Sequence, residues 1–280
     1  MSDGARPLQT NPAAGSMVPE WPQDSAVADS DHWIHIEQSP RRVRVTFGGQ
    51  TIADSKRALL LRERKCLPVY YFPREDVRID FMHSTTHRTH CPYKDDASYW
   101  TIHAGLKTAE NAAWSYLDPP APASAIRGYF AFQWNLMDAW REEEEEIFVH
   151  PRDPYKRVDV LQSSRHVRVA VAGETVADTR RPRLLFETGH PTRYYIPLED
   201  IRREFFASSE TSSRCPYKGI ASYWSVEIGG NIFPDLAWSY LDPIPECPKI
   251  KGLVCFFQER ETTIFVDGEE LPKLRTKWSR

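Results

Sequence analysis

Laid over itself at an offset of 124 residues, the step from Val43 to Val167, the chain repeats much of its own sequence without a gap. Val43-Arg44-Val45 falls on Val167-Arg168-Val169, Ala53-Asp54 on Ala177-Asp178, and Tyr70-Tyr71 on Tyr194-Tyr195. The densest blocks are Cys91-Pro92-Tyr93-Lys94 on Cys215-Pro216-Tyr217-Lys218, Ala97-Ser98-Tyr99-Trp100 on Ala221-Ser222-Tyr223-Trp224, and 113–119 on 237–243. Such self-similarity requires two copies of one structural unit. Past Phe132 and Phe256, Ile147-Phe148-Val149 matches Ile264-Phe265-Val266 at an offset of 117, which implies about seven extra residues in the first copy around Arg141 and 142–146. That glutamate run reads as a solvated loop. The expected organisation is a disordered tail over 1–30, rich in Ala, Pro and Ser, a first repeat domain over 31–150, a second over 151–272, and a tail over 273–280.

Within a copy the dominant period is two. Residues 41–47 alternate basic with β-branched or aromatic side chains, Gly48-Gly49 supplies a hairpin turn, and 50–54 return. Further β-rich runs at 69–72, 98–103, 112–117 and 128–134 are separated by Pro, Gly and Asp. One short helix per copy is expected at Pro73-Arg74-Glu75-Asp76, where Pro suits a first turn and Val77 and Phe81 share a face. The fold class is therefore mainly β (α+β): two homologous small β-barrel or folded-sheet domains, each with one short helix.

Composition narrows the function classes. With 36 basic against 39 acidic residues the net charge is −3, which excludes a nucleic-acid binder that works through bulk positive charge. No apolar run approaches the roughly 18 residues of a membrane span, and the N-terminus lacks a signal peptide's basic start and apolar stretch. Five cysteines, an odd count without a C-x-x-C pair, argue against a disulfide scaffold or a cysteine-rich zinc site. A cytoplasmic chain with reduced thiols is expected, with a small molecule as its partner and with neither nucleic acid nor membrane; nothing fixes the oligomeric state.

Through CPYK, ASYW, AWSY/DP and the connector 150–159 (HPRDPYKRVD), the chain resembles the domain-of-unknown-function family 427 in its tandem-repeat form, over about Asp31 to Glu270. The resemblance implies compact β domains and carries a nucleotidyltransferase-like label. A polymerase-β-type transferase needs a Gly-Gly or Gly-Ser turn followed by D-x-D, so that two metals can be held over the reacting oxygens. Here Gly48-Gly49 is followed only by Asp54, and Gly229-Gly230 only by Asp235. Thirteen glycines in 280 residues form no phosphate cradle either, so the label finds no support in the residues. A G-x-S-x-G elbow and an H-E-x-x-H helix are also missing.

The densest chemistry is 83–91, which holds His83, His87, His90 and Cys91, with His103 beyond. Three imidazoles and a thiol could complete a tetrahedral zinc or iron site, or one histidine could act as a general acid or base. The second copy has Ala207, Thr211 and Arg214 in place of the three, so the fold does not need them. Two of the charged residues that recur in both copies are candidates for chemistry. Lys94/Lys218 could bind an anion or polarise a carbonyl, and Glu63/Glu187, set after leucines, could be a buried proton-transfer carboxylate or a structural partner of Arg44/Arg168. Tyr71, Tyr99, Trp100 and Trp114, with Tyr195, Trp224 and Trp238, are the residues to line a pocket for a flat ligand.

The leading expectation is a small-molecule enzyme using acid–base chemistry (isomerisation, dehydration or cyclisation), with His90, Lys94, Glu63, Lys218 and Glu187 catalytic and no cofactor. A non-catalytic ligand-binding or interaction protein is the first alternative. Metal-dependent chemistry at the histidine loop is the second.

Overall fold

A computed structural model describes residues 31–279. The expected N-terminal tail, 1–30, lies outside the described residues. The first domain comprises β1 (Ile34–Gln38), β2 (Val43–Phe47), β3 (Gln50–Ser55), β4 (Leu59–Glu63), β5 (Val69–Tyr71), β6 (Met82–Cys91), β7 (Asp95–Ala104), β8 (Lys107–Tyr116), β9 (Ala131–Phe132), β10 (Ala139–Glu142) and β11 (Glu145–Ile147). The second repeats the series as β12 (Val158–Gln162), β13 (Val167–Val171), β14 (Glu174–Thr179), β15 (Arg183–Glu187), β16 (Arg193–Ile196), β17 (Phe206–Cys215), β18 (Gly219–Ile228), β19 (Asn231–Pro243), β20 (Val254–Phe256), β21 (Thr262–Val266) and β22 (Glu269–Glu270).

Alternation sets which face each strand buries. In β2, Val43, Val45 and Phe47 point into the core while Arg44 and Thr46 lie between them on the outer face. Gly48 and Gly49 then take φ of +58° and +75°, the left-handed values that a two-residue hairpin turn demands, and Ala172 and Gly173 do the same in the second copy. A four-stranded sheet of order β11-β10-β2-β3 recurs as β22-β21-β13-β14. Its companion in the second domain is a seven-stranded sheet, β12-β15-β16-β20-β19-β18-β17. In the first domain this larger sheet is split into β1-β4-β5 and β6-β7-β8-β9, with the Phe72–Phe130 bridge at the place where β16 pairs with β20 through Ile196 and Val254.

The sheets stay open, so the barrel form of the expectation gives way to folded sheets. The expected helix is also shorter than a helix: Arg74–Asp76 and Leu198–Asp200 are single 3-10 turns, and no α-helix occurs among the described residues. Among the described residues no helix is long and apolar enough to cross a membrane.

Both faces of the larger sheet are covered, which explains the paired tyrosines. Tyr70 joins the cluster between the two sheets, with Val45, Ile102, Phe132 and Trp140, while its neighbour Tyr71 points the other way into a second cluster with Leu61, Cys91, Tyr116 and Ile126.

The inferred insertion is corrected by register. Val43 pairs with Glu142 and Val167 with Val266, so Glu142 corresponds to Val266 and the offset of 124 continues unbroken. Glu143 and Asp267 occupy the same left-handed turn position, at φ +51° and +53°. The glutamate run is therefore a hairpin, solvated over Glu143–Glu146 as expected but with Glu142 turned inward. Glu142 is buried, pairs with Arg41 at 2.5 Å and accepts a hydrogen bond from the Tyr70 hydroxyl at 2.8 Å. The C-terminal segment is also engaged. Lys273 Nζ donates to the carbonyls of Arg260 and Thr262, Thr276 Oγ1 donates to Glu259 at 3.0 Å, and Trp278 packs on the second-domain core.

Candidate functional site

Each copy brings its repeated carboxylate and its repeated ammonium together. Glu63 ends β4 beside β1, opposite Ile34. The Cys-Pro-Tyr-Lys turn between β6 and β7 is closed by Lys94 N–H donating to the Cys91 carbonyl at 3.2 Å, which directs the lysine back under the sheet. Lys94 Nζ donates to Glu63 Oε2, and both side chains are almost fully buried, at 3% and 2% exposure. In the second copy Lys218 donates to Glu187 at 2.5 Å. The alternative partner, Arg44, instead reaches Glu144 at 2.7 Å, on the adjoining hairpin.

A third group completes each centre, and there the copies differ. His32 Nε2 lies 3.0 Å from Glu63 Oε1, and its ring stacks on Tyr93 with centroids 3.4 Å apart and planes 8° apart. At the same place the second copy has Lys156, 2.9 Å from Glu187 and over the ring of Tyr217. His190 Nδ1 lies 3.2 Å from Lys156 Nζ; its counterpart in the first copy is Cys66, whose thiol is pushed up to about 11 by burial and by Glu63. Burial pushes the Glu187 carboxyl upward, but Lys218 and Lys156 outweigh it, and the net position is below the ordinary carboxylate value. The Lys218 ammonium is opposed by burial yet ends above its ordinary value, held by Cys215 and Glu187.

His32, Lys156 and His190 were not among the residues singled out from the sequence. The superposition at 124 does set His32 on Lys156, but unlike side chains at matched positions do not register as a repeat.

The histidine loop does not form the tetrahedral set. It is strand β6, whose alternation and bulge between Ser84 and Arg88 send the donors to different places. Cys91 is buried in the core, His90 pairs with Asp96 at 2.8 Å, His87 packs on Tyr99, and His83 meets His103 at 4.9 Å between ring centroids. His90 consequently sits with Asp95 and Asp96, all three exposed, whereas Glu63 and Lys94 are buried.

The aromatic residues chiefly build the core. Tyr71 and Tyr195 are fully buried and accept hydrogen bonds from Trp114 and Trp238, each at 3.2 Å. Trp100 packs edge-on to Phe130, Trp224 donates to Ser239 at 3.0 Å, and Tyr99 shares a hydroxyl contact of 2.9 Å with Thr89. They brace the sheets: Tyr71, Tyr99 and Trp114 share one cluster and Tyr195 and Trp238 its counterpart, while Trp100 and Trp224 pack on the other face.

Fold and site together define a tandem β-domain protein in which each copy carries a buried carboxylate–ammonium pair with a third, copy-specific titratable partner. The chain belongs to the family described as Domain of unknown function (DUF427), whose model matches it twice, over residues 35–143 and 159–268. No curated protein matches it.

Proposed function

We propose that the protein is a small-molecule enzyme that moves protons without a cofactor through His32, Glu63 and Lys94 of the first domain, in an isomerisation, dehydration or cyclisation. The observation that carries this reading is the sharing of one buried carboxylate between an ammonium and an imidazole. Lys94 Nζ donates to Glu63 Oε2. Glu63 Oε1 lies 3.0 Å from His32 Nε2, which leaves Nδ1 as the ring nitrogen for proton transfer. The His32 side chain is 13% exposed against 2% for Glu63, so the imidazole is the more accessible of the two to a substrate. Lys156 replaces the imidazole in the second copy, which makes that copy a structural and binding partner in this scheme.

The test is deuterium incorporation from heavy water into a panel of small carbonyl compounds bearing acidic C–H bonds. Exchange by the wild-type chain that is lost in His32→Gln and Glu63→Gln, with folding retained, supports the proposal. Exchange that survives both substitutions removes it. A non-catalytic ligand-binding role is the second reading. It predicts compounds that bind but never exchange.

A further inference from the structure

Independently of the acid–base centre, the first domain carries a groove of about 460 Å³ whose lining includes His83, His87, Thr101, His103, Thr108 and Glu110. We infer that this groove binds one first-row transition cation, such as zinc(II), through His83 and His103.

Placement comes from the sheet. His83 lies opposite Thr101 across β6 and β7, and His103 is two residues further along β7, so both imidazoles stand on one face. Their ring centroids are 4.9 Å apart. Two imidazoles that share one ion at metal–nitrogen distances of about 2.1 Å, at angles between about 90° and 109°, have centroids about 4.6 to 5.3 Å apart. The observed spacing falls inside that range with no movement of the backbone.

Orientation is supplied by the neighbouring strand. His103 Nδ1 shares a hydrogen bond of 2.9 Å with Thr108 Oγ1, and with Nδ1 as the donor its Nε2 is left as the ligand. Imidazole nitrogen suits zinc, copper and nickel better than magnesium or calcium, which take oxygen donors. Two protein ligands leave the remaining positions facing the groove, where water can complete the shell. The second copy has Ala207, Glu227 and Ile232 where the first has His83, His103 and Thr108, so the trio serves no requirement of the shared fold.

A competing donor set exists in the same domain: His90, Asp95 and Asp96, all exposed. The experiment therefore titrates zinc chloride into the full, untagged chain by calorimetry and repeats it with His83→Ala, His103→Ala, His90→Ala and Thr108→Val. The expected result is one ion per chain in the wild type and unchanged binding in His90→Ala. His83→Ala and His103→Ala should each weaken affinity by at least about tenfold, and Thr108→Val by about tenfold, the usual effect of removing the partner that orients a ligating imidazole. Absence of saturable binding in the wild type overturns the inference. So does binding that survives His83→Ala and His103→Ala, or that His90→Ala weakens as much as they do.

Discussion

Replacing Lys94 by Met should destabilise the first domain far more than Lys218→Met destabilises the second, although the residues are equivalent in the repeat. In the first domain the substitution leaves Glu63, at 4% exposure, beside His32 and the Cys66 thiol; the thiol brings no positive charge, and His32 brings it only when protonated. Removing one member of a buried ion pair typically costs about 3–5 kcal/mol. For a domain of roughly a hundred residues, with about 4 °C lost per kcal/mol, the melting midpoint should fall by about 12–20 °C. In the second domain Lys156 remains 2.9 Å from Glu187 and keeps the carboxylate compensated, so the loss should be about 1–2 kcal/mol, closer to that of a single charged hydrogen bond. The double variant Lys94→Met/Glu63→Leu should recover most of the single loss, because an apolar pair of similar volume needs no charge compensation. Urea unfolding followed by tryptophan fluorescence reads all three, since each domain has its own tryptophans. Equal losses for Lys94→Met and Lys218→Met, or a double variant as unstable as the single, would refute the argument that burial and the third partner set the cost.

Two further outcomes follow from the turn at Gly48 and the Arg193–Glu259 pair. Gly48→Ala should cost at least about 2 kcal/mol in first-domain unfolding, because the added methyl would sit 2.0 Å from the Ala104 carbonyl oxygen and no rotamer change relieves a backbone clash. The left-handed φ is not itself the obstacle, as Ala172 holds the matching position at +47°, so a loss below about 0.5 kcal/mol would mean that the two turns separate readily. Burial pushes the Glu259 carboxyl up, but its two hydrogen bonds from Arg193, at 2.8 and 2.5 Å, bring it below its ordinary 4.5. A carboxyl depressed in the folded state adds stability that is present above that ordinary value and is lost as pH falls through the folded one. Glu259→Gln should thus lower the second-domain melting midpoint at pH 7 and flatten its decline between pH 4.5 and 3; parallel declines in variant and wild type would count against the pairing.

What the residues alone determined was the duplication, the mainly β class and the pairing of each strand with its partner copy, because alternation of apolar side chains and repeated turn residues are local properties that survive in one dimension. The offset of 124 even ran further than identity could follow. Glu142 and Val266 share a register position but not a chemistry, so only strand pairing reveals that no insertion exists. The centre around Glu63 was half legible for a related reason. Its carboxylate and ammonium recur in both copies and stand out, whereas His32 and Lys156 differ, and their common role comes from lying beside the same sheet end. Tertiary structure also decided the fate of the histidines. A run of donors close in sequence is divided by a strand, which turns neighbours to opposite faces and buries Cys91, while His83 finds His103 across the sheet, twenty residues away. Sequence proximity ranks residues along the chain, but a β-sheet brings together residues by register and by face, and that pairing exists only after the sheet has formed.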